Sequence, residues 1–392
     1  MALKHRLPSR PAPQANPLAA QARLFLQQAI AHHERGQLAE AQRIYEAVLK
    51  AQPKNPDALH LLGVLASQTR QYERALELID KAIAIHPKAA SFYSNRGNAL
   101  LALERPEEAL ESYDRAIALE PNFAEAWSNR SNALRRLLRA EEALANCDRA
   151  LELRPNYTEA LVNRGNALRL LLRIDEAVAD YEAALELQPN KAATHWALAL
   201  ALLTKGDFER GWKEFEWGWQ AGERGEPRPF TQPLWLGAEP LEGKTILLHN
   251  EQGFGDMIQF SRYATLAAER GAKVLLTAPP RLVNLVKTIP GVSQVFTLGE
   301  TLPPFDLQCP VMSLPLAFGT TVETIPAWPR YVRSVASVVE EWTQRLGPKT
   351  KPRVGVVWSG NAQNATDFRR STGLAEFLPL AVDNVELISL QK

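Results

Sequence analysis

From residue 21 to about residue 222, apolar residues recur at helical spacing in short blocks, and the blocks themselves repeat. Pro53, Pro87, Pro121, Pro155 and Pro189 stand 34 residues apart. Counted back from each proline, a small residue falls at Ala41, Ala75, Ala109, Ala143 and Ala177. A second small position holds Ala82, Ala116, Ala150 and Ala184, with Val48 in the first unit. A third recurs earlier in each unit at Ala29, Gly63, Gly97, Ser131 and Gly165. Large residues at helical spacing fill between them: Tyr45, Ile79, Tyr113 and Tyr181, with Cys147 in the fourth unit. Small residues let two helices approach and large ones fill the seam, so each unit reads as a helical hairpin and the series as a stack. Cys147 is then a core residue and not a reactive thiol. A sixth unit, His195 to about Gly222, keeps the phase with Ala199 and Phe215 but puts Gly211 and Gly218 at the small sites. It also concentrates Trp212, Trp217 and Trp219, which are expected to dock the stack onto the C-terminal part of the chain, because an end unit has no successor to cover it.

After Gly222 the helical period stops, and residues 223–242, rich in Gly and Pro and carrying Trp235, read as a linker. Thr245–His249 is a continuous apolar run suited to a buried parallel strand. It leads through the loop 250–256 into an amphipathic helix to about Arg270, closed by Gly271. Lys273–Thr277 reads as a second strand, Pro280–Thr288 as a helix, Val295–Leu298 as a third strand and Asp306–Cys309 as a fourth. Strands alternating with helices predict a parallel, Rossmann-like sheet over residues 243–347, with a further α/β unit from residue 348. Ligands of such sheets sit beyond the carboxyl ends of the strands, which points to His249–Asp256. Gly253 and Gly255 allow close backbone approach, although the third glycine of a dinucleotide fingerprint is missing. Asp256 fits either a general base at the mouth of the sheet or a helix cap, and His249 and Glu251 are open to structural or functional readings alike.

One pattern in the stack goes beyond packing. The first helices of three consecutive units read Asn95-Arg96-Gly97-Asn98, Asn129-Arg130-Ser131-Asn132 and Asn163-Arg164-Gly165-Asn166. Asparagines three apart share a helix face, and repetition stacks them into two ladders. An amide offers both donor and acceptor, matching the alternating groups of an extended peptide backbone, so the ladders predict a groove that captures polypeptide. The alternative is that the asparagines bond only between neighbouring units.

Composition narrows the partners. Lys plus Arg number 45 against 44 Asp plus Glu in 392 residues, so no net field draws in nucleic acid or an anionic membrane. Hydrophobic residues make up 46% of the chain, enough for two or more cores. The two cysteines, Cys147 and Cys309, do not make a disulfide framework, and a reducing, cytoplasmic compartment is expected. The longest apolar run, Trp196–Leu203, falls far short of the roughly 20 residues that span a bilayer. Residues 1–20, basic and proline-rich at their start, read as a disordered tail.

A period of 34 is that of the tetratricopeptide repeat, which residues 21–222 resemble. Three further segments carry a second resemblance: His249-Asn-Glu-Gln-Gly-Phe-Gly-Asp-Met-Ile-Gln-Phe-Ser-Arg-Tyr263, Pro303 to Thr320, and Val354-Gly-Val-Val-Trp-Ser-Gly-Asn361. In that order they resemble bacterial tetratricopeptide-repeat glycosyltransferases, whose catalytic part is similar to the heptosyltransferase family. The resemblance implies a GT-B arrangement of two Rossmann-like domains, an acceptor side and a nucleotide-sugar side, with no metal or other cofactor. It implies Asp256 as the base that deprotonates the acceptor, with His249, Glu251, Gln252, Gly253, Gly255, Ser359, Gly360, Asn361 and Arg370 lining the substrate and donor sites. Asn364 and Thr366-Asp-Phe-Arg-Arg-Ser371 depart from the family's histidine and Asn-Asp-Arg-x-Arg-Ser segment, with Asp367, Arg370 and Ser371 retained. Since only residues 348–392 come after the first domain, the expectation is a truncated second domain. On that expectation the chain binds nucleotide sugar and transfers it only with the donor half present, and a non-catalytic repeat adaptor is the alternative.

Overall fold

The computed structural model describes residues 17–251, 253–328, 330–360 and 371–390. The chain divides into two units, Met1–Pro229 with Pro315–Ile325, and Phe230–Leu314 with Pro326–Lys392.

The first unit is a stack of helical hairpins. Its helices are α1 (Pro17–Glu34), α2 (Leu38–Ala51), α3 (Pro56–Gln68), α4 (Tyr72–Ile85), α5 (Ala90–Ala102) and α6 (Pro106–Leu119). They continue as α7 (Ala124–Arg136), α8 (Ala140–Leu153), α9 (Thr158–Leu170), α10 (Ile174–Leu187), α11 (Ala192–Lys205) and α12 (Phe208–Phe215). Helix α1 opens at Pro17, inside the tail expected to be irregular, because a proline is already shaped for the first helical position. Every small and large position of the 34-residue pattern is buried, Ala41, Tyr45, Ala75, Ile79, Tyr113 and Cys147 among them. The seam is a matched pair sixteen residues apart. A Cβ on Gly97 would come within 2.6 Å of the Tyr113 ring, and one on Gly165 within 2.7 Å of the Tyr181 ring. In the fourth unit both partners change size together, Ser131 facing the smaller Cys147. Burial pushes the Cys147 thiol up to about 12, which leaves it unreactive.

The end of the stack uses its aromatic residues locally. Trp217 lies flat on His195 at 4.0 Å, and Trp212 meets Phe208 and Phe215 edge-on. Arg224 is fully buried, pairs with Glu216 at 2.8 Å and lies against Trp219 and Phe215. Residues 223–229 thus complete the stack rather than leave it.

The second unit carries a four-stranded, wholly parallel sheet. Its strands are β1 (Thr245–His249), β2 (Lys273–Thr277), β3 (Val292–Phe296) and β4 (Leu307–Pro310), in the order β3-β2-β1-β4. Ile246, Leu247 and Leu248 of β1 and Val274, Leu275 and Leu276 of β2 are fully buried, which is why they read as unbroken apolar runs. The former linker contributes here too. Trp235 is buried, donates its backbone N–H to Gln308 at 2.8 Å and its indole N–H to the Glu239 carbonyl, and extends the sheet beyond β4.

Two expectations shift. The third strand begins at Val292, directly after the left-handed Gly291, while residues 297–300 fold into a turn in which Glu300 accepts the Thr297 N–H. The single helix expected to Arg270 is two, α13 (Phe254–Phe260) and α14 (Tyr263–Glu269). The buried Ser261 and the half-buried Arg262 donate their side chains to the Ile258 and Gln259 carbonyls, which breaks the helical ladder there. Further on, β5 (Arg353–Val356) and β6 (Glu386–Ser389) pair in parallel, joined through a 3-10 segment, Leu374–Leu380.

Candidate functional site

The ladder asparagines sit half-buried on the first helices α5, α7 and α9. Those of the first ladder reach back 35 residues into the preceding unit. Asn95 Nδ2 bonds His60 Nε2 at 2.8 Å, Asn129 Nδ2 donates to Ser94 Oγ at 3.5 Å, and Asn163 Nδ2 donates to Ser128 Oγ at 3.0 Å. Those of the second ladder accept from their own unit's second helix: Tyr113 donates to Asn98 Oδ1 at 2.7 Å and Tyr181 to Asn166 Oδ1 at 2.9 Å. Cys147 replaces that tyrosine in the fourth unit, and Asn132 makes no side-chain hydrogen bond among the described residues. Both readings of the ladder therefore have a geometric basis: inter-unit bonds orient the amides, and amide groups remain on the face.

A third ladder, which the sequence expectations did not include, lies between the asparagines. Arg96 donates to Asp80 on the preceding unit's second helix at 2.7 Å and to Ser112 on its own at 2.8 Å. Arg130 does the same with Asp114 and Asn146, and Arg164 with Asp148 and Asp180. Each arginine thus fastens two units. The signal was legible: Arg and Asp recur every 34 residues with a fixed offset of sixteen.

In the second unit, the carboxyl ends of β1, β2 and β4 converge on the loop after β1. The Asn250 N–H donates to Thr277 Oγ1 at 3.3 Å, and Glu251 accepts the Met312 N–H at 3.2 Å. His249 is buried, with Nε2 on Gln308 Oε1 at 2.8 Å and its ring against Phe230. Asp256 stands at the third position of α13 and accepts the Gly253 N–H at 3.2 Å, so it does act in capping. A Cβ on Gly255 would meet nothing within 4 Å, so the fold itself does not require that glycine. Ser359 and Gly360 follow β5, where the Ser371 hydroxyl accepts the Gly360 N–H at 3.0 Å. Gln252, Asn361 and Arg370 lie outside the described residues. Among the described residues no His, Cys, Asp and Glu group is placed to hold a metal, and no helix is long and apolar enough to cross a membrane.

This helical stack is a tetratricopeptide-repeat solenoid: family models for the tetratricopeptide repeat match residues 32–96, 90–123, 124–157 and 158–191. Among curated proteins the chain is similar to Protein FlbA of Caulobacter vibrioides, at 28% identity over 45% of this chain and 33% of that protein. The chain thus spans about a third of that relative's length. Similar solved structures include TTC0263, a thermophilic TPR protein of Thermus thermophilus, at 25% identity over 46% of this chain and 99% of that one, with a TM-score of 0.43. Another is YrrB, a TPR protein with an unusual peptide-binding site, at 21% identity over 48% of this chain and 98% of that one, with a TM-score of 0.37.

Proposed function

We propose that the chain is a polypeptide-binding repeat scaffold joined to a glycosyltransferase-like α/β unit. One observation carries the first half of this reading. Three consecutive first helices carry paired amides on a single face: Asn95, Asn129 and Asn163 are oriented by bonds to the preceding unit, Asn98 and Asn166 by tyrosines of their own unit, while Asn132 keeps both its donor and its acceptor capacity. An extended backbone alternates N–H and C=O groups and suits such a row whatever its side chains. Replacing Asn132 with Ala removes an amide that holds no part of the fold. Affinity for an extended polypeptide is expected to fall roughly fivefold, the loss of about one net hydrogen bond, with the melting temperature unchanged. Unchanged affinity in calorimetric titration would count against the groove.

The α/β unit is read as the acceptor side of a GT-B glycosyltransferase, supported by the parallel order β3-β2-β1-β4 and by the loop where three strand ends meet. In that reading Asp256 is the base, the amides near Gly253 and Gly255 and the residues Ser359, Gly360, Asn361 and Arg370 face substrate and donor, and the donor is a nucleotide sugar. A second reading, a non-catalytic adaptor, is favoured by the capping bond that already engages Asp256. Asn at position 256 keeps an oxygen for that cap but removes the base. If the chain transfers sugar from a panel of nucleotide sugars to a bound polypeptide, Asp256→Asn is expected to lower turnover by about 100-fold or more. Peptide binding with no transfer from any donor would establish the adaptor.

A further inference from the structure

Leu138 and Leu172 stand at the turns of the fourth and fifth hairpins, both in a left-handed backbone at φ 59°. Their side chains are 52% and 78% exposed. Leucine resists this conformation and glycine takes it freely, as Gly206 does at the sixth turn, so the turn itself asks for no side chain. At the third turn the side chain has a use. Glu104 receives Arg136 of the next hairpin at 2.5 Å. One hairpin further on, the positions of Glu104 and Arg136 hold Leu138 and Leu170, so the ion pair gives way to two leucines. An ion pair resumes beyond them, between Asp175 of the fifth hairpin and Lys205 of the sixth, at 2.6 Å. The edge of the stack is thus apolar over two adjacent turns and charged on either side. At the sixth turn an aliphatic side chain already rests on this edge: a Cβ on Gly206 would stand 3.5 Å from Val322, in the segment Pro315–Ile325 that folds with the stack.

Strained backbone is retained where its surroundings over-determine it, and here half or more of each leucine side chain lies outside the fold that could do so. The charges around the leucines select what covers them. Arg139 forks onto Glu142 at 2.6 and 2.7 Å, and Arg173 onto Glu176 at 2.7 and 2.6 Å. Paired in this way, they leave no net field to draw a strongly acidic or basic partner. They do suit a second copy of the chain. A two-fold axis between the fourth and fifth turns reverses the edge, so Leu138 of one copy lies on Leu172 of the other, twice over. The same axis reverses the direction from arginine to glutamate and sets each arginine against the other copy's glutamate, the self-complementarity that an isologous contact requires.

We propose that the turns of the fourth and fifth hairpins form a self-association surface, through which two copies of this chain pair about a two-fold axis, Leu138 against Leu172 in both directions. The surface stands on the hairpin turns and is independent of the asparagine face. Two leucines and two ion-paired forks from each copy make a small contact, below the roughly 1,200 Å² of a stable interface, so the dimer is weak and transient. The test is sedimentation velocity of the full chain from roughly 10 µM to 1 mM, a range that brackets the dissociation constants of weak pairs. A reversible monomer–dimer equilibrium is expected. Leu138→Gly with Leu172→Gly raises its dissociation constant about tenfold or more. That variant keeps the fold, because it gives both turns the residue of the sixth, and circular dichroism checks it. Leu24→Ser, at an exposed leucine of α1, leaves the association unchanged. The register is read by mixing Leu138→Cys chains with Leu172→Cys chains under mild oxidation: the mixture forms disulfide-linked dimers, and either variant alone forms far fewer. The native Cys147 and Cys309 are buried and do not compete. A chain that stays monomeric throughout overturns the proposal, as does a glycine variant that dimerises as tightly as wild type. Assembly past the dimer, or linking by each single variant but not by the mixture, overturns the two-fold contact.

Discussion

At the turn inside each hairpin, six residues 34 apart, Gly36, Arg70, Glu104, Leu138, Leu172 and Gly206, all hold positive φ between 57° and 90°. The turn needs this conformation to close the first helix: the Arg173 N–H reaches back to the Leu168 carbonyl at 2.9 Å, as Arg139 does to Leu134. A left-handed conformation costs a leucine roughly 1–2 kcal/mol, and glycine returns roughly 0.5–1 kcal/mol of that through the freer unfolded chain. The Leu172 side chain is 78% exposed and has little packing to lose. Leu172→Gly is therefore expected to stabilise the stack by about 0.5 kcal/mol, and Leu172→Val to destabilise it, since β-branching resists this backbone. Urea unfolding midpoints check the pair, and a lower midpoint for the glycine variant would show that Leu172 makes contacts that matter. This feature was not legible in the sequence, because four residue types share one conformation and only the first and last units betray it with glycine.

At the scale of the helix pair, the sequence was far more explicit. Small and large residues at offset sixteen had to face each other, and every one of them is buried where the period put it. The pairing also predicts how substitutions couple. Gly97→Ala drives a Cβ to within 2.6 Å of the Tyr113 ring and is expected to cost about 1–3 kcal/mol. Tyr113→Cys alone leaves a cavity and removes the bond to Asn98, at a cost of about 3 kcal/mol or more. The double variant approaches the Ser131–Cys147 pair that the fourth unit already uses, and it should be more stable than the sum of the two single costs predicts. A double-mutant cycle by thermal unfolding with strict additivity would refute the size matching. The strands were legible for the same reason, as apolar runs buried on both faces. The break between α13 and α14 was not, because it depends on Ser261 and Arg262 claiming carbonyls that a helical pattern assigns to the backbone.

Across the whole molecule, period identified the solenoid and alternation the parallel sheet, but composition misplaced the segment that joins them. Residues 223–242 look like a linker because they are rich in Gly and Pro. Yet Arg224 is buried in the stack beside Glu216, and Trp235 is buried beside β4. A buried ion pair or a single anchoring tryptophan leaves no periodic trace. The candidate sites divide in the same way. The asparagine ladders were legible because they repeat, whereas the roles of His249, Glu251 and Asp256 depend on contacts made once: with Gln308, with the Met312 N–H and with the Gly253 N–H. The central claim, that the first helices of the third to fifth units form a polypeptide-binding face, is tested most directly by photo-crosslinking. An extended peptide carrying a diazirine is bound to the chain, irradiated and mapped by mass spectrometry. Adducts are expected on residues 90–102, 124–136 and 158–170, and they should be lost on competition with unlabelled peptide. Adducts confined to the second helices, residues 106–119, 140–153 and 174–187, would contradict the account.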